Sequence, residues 1–140
     1  MATIIVERVK GTFGFEAKDE LGHIINMDSS IENGGDDSGF RPMQLLLAAL
    51  GSCSGIDMIS ILKKQKQQVN DLKIEITGIR EKDAVPSLWQ KVSVTFEVFG
   101  EVKREKAEKA AAMAMEKYCS VAETLRRGGT SISWKTNVNA

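Results

Sequence analysis

A chain of 140 residues with 42% hydrophobic side chains is the size of one domain and can close a core without disulfides or a metal. Lysine plus arginine and aspartate plus glutamate stand at 19 each and are interleaved, which argues against the one-sided basic surface of a nucleic-acid binder. With a single histidine, His23, neither a His/Cys zinc site nor a Ser-His-Asp triad is expected, and no cofactor is implied.

Residues 1–7 lack the basic start of a secretory leader, and their apolar run is short. The most apolar stretch, 43–62, is interrupted by Gln44, Ser52, Ser54, Asp57 and Ser60, whereas a membrane span needs about 18–20 largely apolar residues. The expected compartment is a reducing cytoplasm, where two cysteines are free or catalytic more often than structural.

Residues 3–10 are rich in β-branched side chains and predict a strand ended by Gly11. Residues 12–17 alternate as a second strand, and 23–28 return as a third after a turn at Asp19, Glu20 and Gly22. Short strands joined by tight polar turns suggest an antiparallel meander. The stretch 33–39 predicts a loop, without the lysine of a phosphate loop or the spacing of a calcium loop. Pro42 suits the first position of a helix, which continues to about Gln67. Residues 45–50 are apolar on every side and predict burial all round. One chain of this length has few elements to cover them, so a homodimer is expected. Gly51, Ser52, Cys53, Ser54 and Gly55 then form a small-residue patch that another backbone can approach closely.

Leu72, Ile74, Ile76 and Gly78, then Val92, Val94, Phe96 and Val98, alternate with polar residues and predict two half-buried strands. A helix over about 102–118 follows, with Ala107, Ala111, Ala114 and Tyr118 on a narrow face. Ser120 and Glu123 have capping-box spacing, predicting a short helix from Val121 that Gly128 and Gly129 end. Residues 131–138 alternate as the last strand. The order β-β-β-α-β-β-α-α-β is an α+β fold.

The candidate chemistry lies in two thiols 66 residues apart. Cys119 directly precedes a helix start, where unpaired N–H groups and the positive end of the dipole lower a thiol's pKa; Lys117, Arg126 and Arg127 are close in sequence to add to this. Cys53 lies mid-helix beside apolar surface, which by itself raises a thiol's pKa. The alternative is that both are ordinary small core residues. Asp57, one helical turn after Cys53, is the one charge in its apolar run and is either a polar site member or an exposed edge. His23 reads as a turn or surface residue.

Around both thiols the sequence resembles a known family. Gly39-Phe-Arg-Pro42-Met-Gln44-Leu-Leu-Leu-Ala-Ala-Leu-Gly-Ser-Cys53 resembles the start of the central helix in the OsmC/Ohr family, the osmotically inducible and organic hydroperoxide resistance proteins. Cys119-Ser-Val-Ala-Glu-Thr124-Leu125 resembles that family's second cysteine motif, and the match spans the whole chain as a single domain, 1–140. The resemblance implies an intertwined homodimer around long central buried helices, with active sites at the dimer interface. It also implies a thiol peroxidase that reduces organic hydroperoxides in oxidative stress, with Cys53 as peroxidatic and Cys119 as resolving cysteine. Cys53 would pass through a sulfenic acid to a Cys53–Cys119 disulfide, reopened by a dithiol such as reduced lipoamide. An arginine holds the peroxidatic thiolate in active members, and a glutamate near the helix start orients it. Gln44 stands at that glutamate's position, and Arg41 is the best substitute for the arginine. Twelve residues of helix are about 18 Å, so Arg41 would reach Cys53 from the partner subunit. The alternatives are a non-catalytic member binding a hydrophobic small molecule at the dimer interface, or a redox sensor.

Overall fold

Residues 1–140, all described by the computed structural model, divide into two compact units, 1–46 and 47–140. In the first, β1 (Ile5–Lys10), β2 (Gly14–Lys18) and β3 (Ile24–Met27) form an antiparallel meander in that order, as the turns and alternation predict. Val6, Ala17 and Ile25 stand side by side across the three strands, followed by Arg8, Phe15 and Met27. Paired residues share a sheet face, so this face is largely apolar. Val6 is 55% and Ile25 52% exposed, and no large apolar side chain before Leu50 is fully buried.

What orders this unit locally is a carboxylate. Asp28 is buried, and its Oδ1 accepts the Ser29 N–H at 2.7 Å. Its Oδ2 accepts the N–H groups of Asp36 and Ser38, both at 3.2 Å, and the Ser38 hydroxyl at 2.6 Å. The Ser38 hydroxyl and these backbone donors hold the Asp28 carboxyl below its ordinary pKa. The loop is therefore wound around one anion, with a single 3₁₀ turn at Ile31–Asn33.

The second unit is a sheet covered on one face by helices. It contains β4 (Gln68–Arg80), β5 (Trp89–Glu101) and β6 (Ser131–Asn139) in that order, β4 antiparallel and β6 parallel to β5. Register aligns Leu72, Val98 and Val138, then Ile74, Phe96 and Thr136, then Ile76, Val94 and Trp134 on one face. The intervening rows, such as Lys73, Glu97 and Asn137, are polar and face the other way. There Glu97 accepts amide N–H bonds from Asn137 at 2.8 Å and Asn139 at 2.9 Å. Helices α1 (Pro42–Lys64, whose first turn counts with the first unit), α2 (Arg104–Met113) and α3 (Ser120–Arg127) complete the fold. Leu50, Met58 and Leu62 of α1 and Ala107, Ala110 and Ala111 of α2 are fully buried in one core with Val92, Val94, Phe96 and Val98.

Three local expectations change. The helix expected over 102–118 is α2 followed by a π-helical turn, Ala114–Tyr118, and Tyr118 is 46% exposed. Ser120 is not the cap of α3; Cys119 is, and Glu123 pairs with Arg126 and Arg127 instead of reaching back. Residues 45–50 are not covered on every side: Leu50 is buried, but Leu46 is 40% exposed in the single chain. By length and hydropathy α1 also reaches the level of a bilayer span, with a mean hydropathy of 1.9 in its most apolar window, so its polar interruptions alone do not exclude one. One side of it, with Leu50, Met58 and Leu62, packs in the core of the second unit.

That packing depends on missing side chains. A Cβ added at Gly51 would stand 2.5 Å from Ile76 Cδ1, and one at Gly55 2.7 Å from Ile74 Cδ1. Both positions let α1 settle onto β4, the close approach that the small-residue patch predicts. For Gly55→Ala the obstacle is the end of a flexible isoleucine, and the gain in helix propensity of about 1 kcal/mol offsets it, leaving stability within about 1 kcal/mol of wild type. Gly55→Leu overpacks the same contact and is expected to cost about 2–3 kcal/mol. Urea unfolding of the two variants checks this; equal midpoints would mean α1 does not need the close approach.

Candidate active site

Cys53 sits at the middle of α1, about half a turn around the helix from Gly51 and Gly55 and on the same face as Asp57. Its polar neighbours are satisfied by the helix itself: the Ser54 hydroxyl donates to Leu50 O at 2.7 Å and Ser52 to Ala49 O at 3.3 Å. Cys53 is half-buried. Cys119 is placed by two backbone devices. The π turn ends with the Cys119 N–H donating to Ala114 O at 2.8 Å, a five-residue span that widens the helix before it stops. Cys119 Sγ then accepts the Ala122 N–H at 3.4 Å, capping α3 where a serine or aspartate usually stands.

The result brings the two thiols together. Cys53 Sγ, Cys119 Sγ and a carboxylate oxygen of Asp57 all lie within 4.8 Å of one another. Both cysteines are free. Asp57 is thus a member of the site, the first of the two options its sequence position allowed. Burial raises its pKa, and its Oδ2 is enclosed without a hydrogen-bond partner.

The helix-terminus argument for an acidic Cys119 fails. Burial pushes this thiol up to about 11; the Ala122 N–H offsets part of this, and the Cys53 thiol beside it adds a further upward push. The cations near it in sequence are engaged elsewhere. Arg126 and Arg127 hold Glu123 at 3.1 and 2.9 Å, and Lys117 Nζ lies over the Tyr118 ring, 5.2 Å from its centre. Desolvation outweighs the backbone N–H groups of Val121 and Ala122.

The remaining candidates lie in residues 1–46. The Arg41 guanidinium donates to Asp37 Oδ1 at 2.6 Å and to Gly39 O at 3.2 Å. Gln44 Oε1 accepts the Arg41 backbone N–H at 3.1 Å, the reciprocal half of a capping box at the start of α1. A cavity of about 340 Å³ there is lined by Phe13, Phe15, Met27, Arg41 and Pro42 among others. His23 is exposed at a turn, its Nδ1 2.7 Å from Asp19 Oδ2. Sequence reasoning missed Asp28, although an aspartate opening a loop rich in serine and glycine is the signal for a carboxylate that gathers backbone N–H groups.

The raised Cys119 pKa has a consequence for stability. The unfolded thiol loses its proton near its ordinary value of 9.0, while the folded one keeps it to about 11. Between these values the unfolded state binds fewer protons, so stability falls as pH rises through this window. The loss attributable to Cys119 is of order 2 kcal/mol. Urea unfolding of wild type and Cys119→Ser on both sides of the window checks it. Parallel curves for the two proteins would show that the thiol is not held protonated.

Three comparisons place this geometry among known proteins. The sequence profile of the OsmC-like proteins matches residues 35–135. Protein YhfA of Escherichia coli (strain K12) is 38% identical over 123 residues, covering 86% of this chain and 88% of its own. Among solved structures, a hypothetical protein from Aquifex aeolicus VF5 is 30% identical with a TM-score of 0.81, covering 100% of this chain and 98% of its own. The organic hydroperoxide resistance protein OhrB of Bacillus subtilis shares the fold at 21% identity and a TM-score of 0.66, with 98% of each chain covered. A chain with this element order, these two cysteine motifs and these relatives belongs to the OsmC-like protein family.

Proposed function

We propose that this protein is a cysteine-dependent peroxidase that reduces organic hydroperoxides, within the osmotic and peroxide stress role that its family suggests. One observation carries the reading: two free thiols 66 residues apart in sequence converge to within 4.8 Å on a helix-covered sheet. Pure packing does not require two sulfurs at one point, whereas two-thiol redox chemistry does. The Cys53 thiolate attacks the outer peroxide oxygen; the S–O bond forms, the O–O bond breaks, and the alcohol leaves with one proton. Cys119 then displaces water from the Cys53 sulfenic acid, giving the disulfide. A dithiol of the lipoyl class, oxidised to its own disulfide, returns both thiols in a reducing compartment such as the cytoplasm.

The division of roles follows burial. Cys53 is half-buried on the helix, and Cys119 is 3% exposed with its proton held tightly. An incoming hydroperoxide meets the former more readily, and a protonated resolving thiol waits without competing for substrate. We further propose that the active form is a homodimer. Apolar side chains that face solvent in the single chain, among them Ile56 at 70% and Ile59 at 49% exposure on α1, are covered by the second copy. A ligand-binding alternative is favoured by one feature, the apolar cavity between Phe13, Phe15 and Met27 with Arg41 on its wall.

Stopped-flow mixing with cumene hydroperoxide separates these readings. Wild type consumes peroxide and loses two thiols per turnover. Cys53→Ser is inactive, and Cys119→Ser makes one turnover and stops at sulfenic acid. A wild-type thiol that reacts no faster than free cysteine would instead favour the ligand-binding reading. Sedimentation at micromolar concentration is expected to give a dimer, and a monomer would remove the cover assigned to α1.

A further inference from the structure

Asp57 is the charged residue the two-thiol cycle leaves without a task. It lies one turn after Cys53 on α1, and one of its carboxylate oxygens is within 4.8 Å of both sulfurs. Its Oδ2 is enclosed and has no hydrogen-bond partner, an arrangement that costs stability and that a passive helix residue would relieve by turning outward. The four arginines of residues 47–140 are engaged elsewhere: Arg80 with Ser87 O, Arg104 with Glu108, and Arg126 and Arg127 with Glu123. No arginine of this unit is therefore placed to stabilise a Cys53 thiolate.

We infer that Asp57 is a catalytic acid–base residue, taking the proton from each thiol as it attacks and delivering it to the oxygen that leaves. The inference rests on the peroxidase reading and supplies its proton path. In the first step the Cys53 S–H proton passes to the Asp57 carboxylate, directly or through one water. The thiolate forms the S–O bond with the outer oxygen of the hydroperoxide, which keeps its own hydrogen and becomes the sulfenic OH. As the O–O bond breaks, the alkoxide takes the proton from Asp57 and departs as alcohol. Sulfur is oxidised by two electrons and the peroxide reduced by two. In the second step the Cys119 proton passes to the same carboxylate while its sulfur attacks Cys53, and the leaving hydroxide takes that proton as water. A carboxyl with no fixed partner is suited to this exchange, and burial, which raises its pKa, brings it nearer the thiols it must serve.

The carboxyl also has access to the outside. Asp57 lines a cavity of about 410 Å³ together with Lys64 from α1, Lys109 from α2, Gln65 and Tyr118. The charged and titratable groups facing it are thus the two thiols, the two lysines and the tyrosine. The cavity is a route for protons to and from solvent.

The test uses the full chain as wild type, Asp57→Asn and Asp57→Glu. With cumene hydroperoxide at neutral pH, Asp57→Asn is expected to react about 100-fold more slowly than wild type. Asp57→Glu recovers part of the rate. A second measurement is independent of peroxide: the pH profile of iodoacetamide alkylation at Cys53 in the Cys119→Ser background. With Asp57 present it shows two inflections, the lower one from the carboxyl; in the Asp57→Asn variant only the thiol inflection remains. Identical alkylation profiles with and without the carboxyl would overturn the inference, whatever the peroxide result. Loss of peroxide activity in wild type itself would overturn the peroxidase reading while leaving the alkylation profiles to decide the role of Asp57.

Discussion

The seating of α1 on β4 is the contact on which the rest of the second unit depends. Gly51 and Gly55 present no side chain to Ile76 and Ile74, so the helix lies closer to the sheet than a helix with ordinary side chains there would. Cys53 falls between these two glycines in sequence, on the opposite face of the helix. Its half-buried sulfur meets Cys119, which stands at the end of a π turn and lies within 4.8 Å. Glycine is a poor helix former, at about 1 kcal/mol relative to alanine, and two of them in one turn weaken α1 intrinsically. Tertiary packing of Leu50, Met58 and Leu62 outweighs that weakness.

A second constraint is the unequal distribution of apolar burial. Every large side chain that is fully buried belongs to residues 47–140, while the meander of β1, β2 and β3 keeps its apolar row exposed. A three-stranded sheet with an uncovered apolar face has little independent stability in water. The proposed second copy answers both this face and the outer side of α1, where Leu46, Ile56 and Ile59 are exposed. Such surfaces resemble a core cut in half, which is the character of an obligate interface.

The element order and nearly every strand were legible because the second sheet has one polar and one apolar face, and period two records that directly in Leu72–Ile74–Ile76 and Val92–Val94–Phe96–Val98. The pairing of β6 in parallel beside β5 was not, since alternation carries no direction. Cys53 and Cys119 could be named as candidates through the motifs around them, but their convergence depends on how two distant helices pack. The start of α3 was misread for a specific reason: serine is the more usual cap, yet the widened turn before Cys119 moves the cap one residue earlier and gives the role to sulfur. Asp57 stayed ambiguous because a single carboxylate in an apolar run has the same pattern whether it faces solvent or a thiol.

These placements share one electrostatic logic. Burial works against the charged form of the Cys119 thiol and of the Asp57 carboxyl alike. Both shifts act in the same direction, toward keeping protons bound near the sulfurs. In the proposed cycle the Asp57 carboxylate takes the thiol proton as the sulfur attacks and returns it to the leaving oxygen, in place of a fixed cation that stabilises a permanent thiolate. Arg41, whose guanidinium is held by Asp37 and Gly39, and Gln44, which caps α1, fit that difference. Where an arginine lowers a thiol's pKa in advance, the role proposed for the partnerless carboxyl is to lower the barrier only while the proton is moving, at the cost of burying it without a partner.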